Sequence, residues 1–191
     1  AKALQKLLQN HPVFENYEVI LAAGDGRTNE DDQTINQTSF NRVKEAIAKH
    51  DKTITLSVGQ LSTGVTIPEW TAVLMLSNIK SPSLYMQAAF RAQNPWAYPV
   101  NGHMRQKENA YVFDFAPERT LIIYDEFANN LSSKTSNGGG TSDDRKDNIK
   151  QLLNFFPVIA EDNQGKMVEL DVNQVLTIPK AIKAQEVVKR G

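Results

Sequence analysis

Short runs of β-forming apolar residues alternate along this chain with segments whose apolar residues recur at helical spacing. That alternation limits the possible folds more than any other feature. Tyr17–Ala23 (YEVILAA), Thr53–Val58 (TITLSV), Ala72–Leu76 (AVLML) and Tyr111–Phe115 (YVFDF) read as strands. The opening segment sets Leu4, Leu7 and Leu8 at helical spacing, with Lys2, Gln5, Lys6 and Gln9 opposite. No start signal precedes it, so the expectation is a piece cut from a longer protein within or just before this helix. Residues 24–38 are polar and acidic and are expected to form a loop. Ser39 then caps a helix with Phe40, Val43, Ala46 and Ile47 on one face. Ser81-Pro82 supplies a helix cap and a first-position proline, and that helix runs through LYMQAAFRAQ to Pro95. After the fourth run a helix is expected with Leu121, Tyr124, Phe127 and Leu131 inward. Strands alternating with helices predict an α/β layered fold with a mostly parallel sheet. Its ligand site should lie beyond the strand C-termini, at the loops after Val58 and around Ser81.

The last third reads differently. Residues 132–145 (SSKTSNGGGTSDDR) hold three consecutive glycines and almost nothing apolar, the composition of a flexible linker. Beyond it, Ile149, Leu152, Leu153 and Phe156 mark a short amphipathic helix ended by Pro157. VIAEDNQGKMVEL reads as a hairpin turning near Asn163-Gln164-Gly165. Asp171 is placed to cap a short helix with Gln174 at the capping-box position. The tail after Pro179 carries Lys180, Lys183, Lys189 and Arg190, and suits a DNA contact or an ordinary polar helix equally.

Composition removes several classes of function. The 191 residues include no cysteine, so no disulfide, thiolate metal site or cysteine nucleophile is available. His11, His50 and His103 lie far apart in sequence, and no metal site is expected. No apolar run is long enough to cross a bilayer and no secretion signal is present, so no membrane partner is expected and the expected location is cytoplasmic. The formal net charge is −1, so a nucleic-acid contact would need a local basic patch.

Two segments have the residue types for chemistry. In Leu61–Trp70 (LSTGVTIPEW), Gly64 allows close backbone approach, and Ser62, Thr63 and Thr66 offer hydroxyls to phosphate oxygens. The plainer reading is a loop of small residues joining two strands. In Tyr85–Trp96 (YMQAAFRAQNPW), Gln87 and Arg91 stand four apart on one expected helix face, with Asn94 further on. An arginine on a helix facing a cleft suits a transferring phosphoryl group. The plainer reading is a solvated arginine and glutamine. Trp70 and Trp96 could stack on bases, but single tryptophans are more often packing anchors. The stretch NGHMRQK, with His103, Arg105 and Lys107, reads as a solvated loop or a backbone contact. Asp125-Glu126 reads as a solvated helix face rather than a magnesium site.

Taken in order, the two segments resemble the second motor lobe of superfamily 2 helicases and translocases. Leu61–Pro68 resembles helicase motif V, and Gln87–Asn94 resembles motif VI, about 20 residues further on. The flavour is most like the motor subunit of type I and type III restriction enzymes, which YVFDFAPERTL also resembles. The resemblance implies a three-layer RecA-like lobe over residues 1–131 with its first strand lying earlier. Residues 132–145 would be the linker, and residues 146–191 a small α+β appendage of helix, hairpin and helix. It implies an ATP-dependent DNA motor whose ATP and magnesium are held mainly by a first lobe upstream of residue 1. The isolated chain is then expected to hold neither and to be inactive.

By the same resemblance Arg91 and Gln87 would be catalytic, and Gly64, Thr66 and Arg91 would bind nucleotide. Ser62, Thr63 and Arg105 would contact DNA. Expected partners are DNA, the first lobe, and nuclease or methyltransferase domains. The sequence departs from the pattern in three places: Thr66 replaces the usual motif V acid, Phe90 the motif VI glycine, and Asn94 the second motif VI arginine. Asn94 raises the alternative of a degenerate scaffold that positions a nuclease or methyltransferase. A third alternative is an unrelated α/β nucleotide-binding module with no motor.

Overall fold

The computed structural model describes residues 1–22, 32–58, 66–162 and 164–190, and only the backbone of 32–37, 117 and 182–190. Backbone contacts divide the chain into two compact units, one of residues 1–73 and 87–112 and one of residues 74–86 and 113–191. The protein is mixed α/β. Among the described residues its strands pair two by two, in four short sheets.

The first unit is built on a parallel pair. Strand β1 (Glu18–Ala22) lies beside β2 (Thr53–Ser57) in the register Glu18↔Thr53 to Ala22↔Ser57, and α2 (Asp32–Lys49) connects them. Helix α1 (Lys2–Gln9) leans on β1, and its Gln5 side-chain amide donates to the Val19 carbonyl at 2.8 Å. The core joins Ile20 and Ala22 of β1 to Val43 of α2 and to Ile67, with Phe40, Ala46, Ile47 and Trp70 packed against it. The apolar face expected of this helix is therefore the buried one. Its start is corrected: the helix begins at Asp32, inside the expected loop, and Ser39 is a buried interior residue rather than a cap. Thr34, Asn36, Thr38 and Ser39 favour caps and turns locally, which is why the sequence sets the start of the helix later.

Two further strands of the sequence reading form, and one hairpin was missed. Strand β3 (Ala72–Met75) pairs with β6 (Tyr111–Asp114). Helix α3 (Pro82–Ala89) starts at its expected proline, with Ser81 Oγ accepting from the Leu84 amide at 3.4 Å. A 3-10 turn, Phe90–Gln93, continues it. The stretch read as a solvated loop is half of a hairpin: β4 (Ala97–Val100) runs antiparallel to β5 (His103–Gln106). Asn101 (φ 51°) and Gly102 (φ 78°) make the turn, the two positive-φ positions of a type I′ connection.

In the second unit, α4 (Pro117–Asn130) packs against α5 (Ser142–Phe155) and α6 (Val172–Arg190). Leu121 and Tyr124 are buried as expected, but Leu131 lies past the helix end and is exposed, and Ile123 and Ala128 fill the face instead. Asp125 is also corrected, because it pairs with Arg145 (3.5 Å) and accepts from Asn129 (2.7 Å) rather than facing water. The hairpin read from the sequence is present as β7 (Ile159–Glu161) and β8 (Met167–Glu169). So is the capping box: Asp171 accepts from the Gln174 amide and Gln174 from the Asp171 amide, both at 2.9 Å. The helix it opens is longer than expected, continuing through Pro179 to Arg190.

Helix α5 begins at Ser142, within the segment read as linker, and is opened by a capping box between Thr141 and Asp144. In the same segment Thr135 is buried, its hydroxyl donating to the Asn129 carbonyl and accepting from the Asn148 amide, each at 2.8 Å. Thr135→Val keeps the shape and removes the hydroxyl, leaving a buried carbonyl and amide without this partner. It should destabilise the chain by about 1–3 kcal/mol, read as a lower midpoint in urea unfolding at unchanged slope.

Candidate functional site

Lys107 is the centre of the first unit's polar architecture. It follows β5, and its amide donates to the Trp96 carbonyl at 2.8 Å, which closes the base of the β4–β5 hairpin. Its ammonium donates to three carbonyls: Pro68 (2.8 Å), Trp70 (2.8 Å) and Ala92 (2.7 Å). An ammonium has three donors and no acceptor, so the set is complete. Pro68 and Trp70 close the motif V-like segment, and Ala92 lies in the motif VI-like one. The two segments singled out in the sequence therefore meet at one side chain that the sequence reading left in a loop.

A line of charge supports this clamp. Lys44 of α2 pairs with Glu69, whose side chain is mostly buried. Burial pushes the Glu69 carboxyl up, but the Lys44 hydrogen bond, its own backbone and the charges of Lys44 and Lys107 hold it below the ordinary 4.5. Burial lowers the Lys107 ammonium, and the Glu69 charge pulls it part of the way back. The carbonyl ends of three dipoles and one nearby carboxylate are what keep a half-buried cation charged here.

The expected site residues are distributed as follows. Ser62, Thr63 and Gly64 lie outside the described residues. Thr66 is exposed, just before the fully buried Ile67. Gln87 is exposed near the end of α3, and Arg91 is partly buried in the 3-10 turn. The turn tightens the winding from about 100° to about 120° per residue. Gln87 and Arg91 therefore sit on two differently wound parts of one continuous helical segment. Asn94, where motif VI has its second arginine, folds back so that its amide donates to the Arg91 carbonyl at 3.1 Å. Arg105 is exposed on β5 opposite Tyr98. Trp70 packs on the core, the plainer of its two readings.

In the second unit the YVFDFAPERTL segment makes a clamp of its own. Asp114 accepts from the Ala116 amide (2.9 Å) and from Arg119 (2.5 Å). Arg119 also donates to the Ser77 carbonyl (2.7 Å) and to Asn78 (3.2 Å). Burial raises the nearby Tyr85 hydroxyl to about 12; Thr120 opposes the rise and Asp114 adds to it. This tyrosine stays protonated and is part of the packing. No group of His, Cys, Asp and Glu that could hold a metal ion occurs among the described residues. Nor is any helix among them long and apolar enough to cross a membrane.

A Mycoplasma pneumoniae protein, named provisionally as the C-terminus of a type II restriction enzyme and methyltransferase, is 30% identical to the chain over 127 residues. The alignment covers 66% of the chain and 17% of that protein. No family model matches the chain. No solved structure matches it either. The similarity links the chain to restriction–modification proteins through one part of a much longer polypeptide.

Lys107→Met should leave three carbonyls unsatisfied and cost about 3 kcal/mol or more. Lys107→Arg should not restore the loss, because a planar fork does not match three convergent carbonyls; thermal unfolding of both variants checks this. Glu69 has a lowered folded-state pKa, so its contribution is present above 4.5 and is lost as pH falls through the folded value. Glu69→Gln should flatten the acid limb of the stability–pH curve below 4.5 and lower the plateau at neutral pH.

Proposed function

We propose that the chain is the C-terminal motor lobe of an ATP-dependent DNA helicase or translocase of a restriction–modification enzyme. The observation that carries this reading is the Lys107 clamp. It joins the end of the motif V-like segment to the motif VI-like turn, the two segments such a lobe brings to an interlobe nucleotide site. The similarity to a restriction enzyme and methyltransferase C-terminus supports the same system. In this reading residues 1–131 form a RecA-like lobe, and residues 146–191 are its appendage. The site lies against a first lobe that supplies the phosphate-binding loop and the magnesium ligands. Arg91 stabilises charge on the γ-phosphate during transfer, and Gln87 orients it or senses the nucleotide. Ser62, Thr63, Gly64 and Thr66 couple nucleotide state to the DNA backbone.

One observation favours a second reading. Asn94 is used as a local cap on the Arg91 carbonyl, a role that needs no second cation. A lobe of that kind would be a degenerate scaffold that positions nuclease or methyltransferase domains.

The readings separate in steady-state ATPase assays on the polypeptide that joins this lobe to its first lobe, with saturating duplex DNA. Arg91→Ala should lower turnover by about 10³-fold or more, with a smaller change in nucleotide affinity because the arginine acts in the transition state. Gln87→Ala should be milder and Asn94→Ala milder still. Unchanged turnover in a folded Arg91→Ala variant removes the motor reading and leaves the scaffold. The 191-residue chain alone should release phosphate only at background, and robust DNA-stimulated turnover by it would overturn the lobe assignment.

A further inference from the structure

One face of the β4–β5 hairpin sets Trp96 and Tyr98, both half-buried, beside the exposed His103 and Arg105. Strand register pairs Val100 with His103 and Tyr98 with Arg105, and the Lys107 amide bonds to the Trp96 carbonyl just beyond. Paired residues share a face, and so do residues two apart on a strand. Trp96, Tyr98 and Val100 therefore run beside His103, Arg105 and Lys107. At the base, Lys107 turns into the body of its unit, and Trp96 stacks on Tyr98 with ring centroids 4.5 Å apart and planes 26° apart. Toward the tip, all four residues of β5 are exposed. The Arg105 side chain has no ion-pair or hydrogen-bond partner among the described residues.

Charge is segregated along this part of the sequence. From Trp70 to Lys107 the sequence contains no Asp or Glu, although the chain holds 22 of them in 191 residues. Lys80, Arg91, Arg105 and Lys107 fall in that stretch, so it carries four positive charges while the whole chain carries −1. Glu69 and Glu108 bound it on either side. The Asn-Gly turn fixes the strand pairing, and Lys107 fixes the base, so the ribbon is held in shape before any partner arrives. An exposed cation beside a rigid aromatic pair suits a flexible polyanion with free π-faces. Duplex bases are already stacked on each other, whereas an unpaired strand offers both a phosphate and an open base plane.

We propose that this hairpin is a docking surface for an unpaired DNA strand, with a base extending the Trp96–Tyr98 stack and its phosphate on Arg105. The choice of DNA over RNA rests on the restriction–modification reading, and the surface itself does not. The test uses the 191-residue chain and a fluorescently labelled oligo-dT strand, with no ATP. Arg105→Gln should weaken binding and reduce the slope of log affinity against log salt by about 0.7, one phosphate contact. Tyr98→Leu should weaken binding roughly tenfold or more, while Tyr98→Phe, which keeps the ring, should restore it. Met104→Gln, on the opposite face, should change nothing. In a Trp70→Phe background the remaining Trp96 fluorescence should be quenched by oligo-dT and not by a duplex of equal length.

Binding that is indifferent to Tyr98→Leu and Arg105→Gln overturns the proposal. So does duplex binding as tight as single-strand binding with the same dependence on Tyr98, and so does oligo-rU outcompeting oligo-dT. The motor reading is judged separately. An ATPase insensitive to Arg91→Ala, alongside Tyr98-dependent oligo-dT binding, removes the motor and leaves this surface. An Arg91-dependent ATPase alongside Tyr98-insensitive binding does the reverse.

Discussion

An ammonium with all three protons given to main-chain carbonyls is the constraint on which the first unit depends. Lys107 reaches Pro68, Trp70 and Ala92 from the foot of a hairpin, and these carbonyls come from parts of the chain more than twenty residues apart. None of them belongs to a ladder pair that would otherwise define its place. Burying a cation is costly unless its donors are fully used and opposite charge is near. Here the donors are fully used, and Glu69, itself held by Lys44, supplies the charge. The consequence is cooperative. The loop end, the 3-10 turn and the hairpin base satisfy one another through a single group, so none of them can drift without stranding that group.

The second unit repeats the device with an arginine in place of the lysine. Arg119 spans Asp114 at the end of β6 and the Ser77–Asn78 bend after β3, while Asp114 also caps the entry to α4 through the Ala116 amide. In both units a charged side chain on a later segment fixes the backbone of an earlier loop. The loop before β3 is held both ways: Ile67 and Trp70 pack on the core, and the Pro68 and Trp70 carbonyls accept from Lys107. The bend after β3 is held by Arg119 reaching back from α4.

Much of this was legible in the sequence, and what was not has physical causes. The apolar runs became β1, β2, β3 and β6 because short β-branched stretches bounded by turn residues have few alternatives. Ser81-Pro82, Asp171 with Gln174, and the hairpin around Gly165 were legible because caps and turns are local chemistry. The start of α2 was not, because its first turns hold residues that locally favour caps and turns. The helix opened by Asp171 was expected to be short, yet α6 continues through Pro179, which is buried. Asn101-Gly102 was a turn signal in plain sight, hidden by polar neighbours that made a loop the easier reading. Lys107 was beyond reach: its three partners are carbonyls, which every residue has, so nothing in the sequence marks them.

Arg91 shows how these constraints converge on chemistry. Its own carbonyl is held by the Asn94 amide and the next carbonyl, that of Ala92, by Lys107. The main chain that carries the guanidinium is thus pinned at two successive carbonyls, within a turn already wound tighter than an α-helix. A cation that must meet a developing charge gains a great deal, because positional error of about 1 Å can cost 10²-fold in rate. In the proposed motor, Asn94 at the position of the second motif VI arginine would give up a charge and in return steady the residue that keeps one.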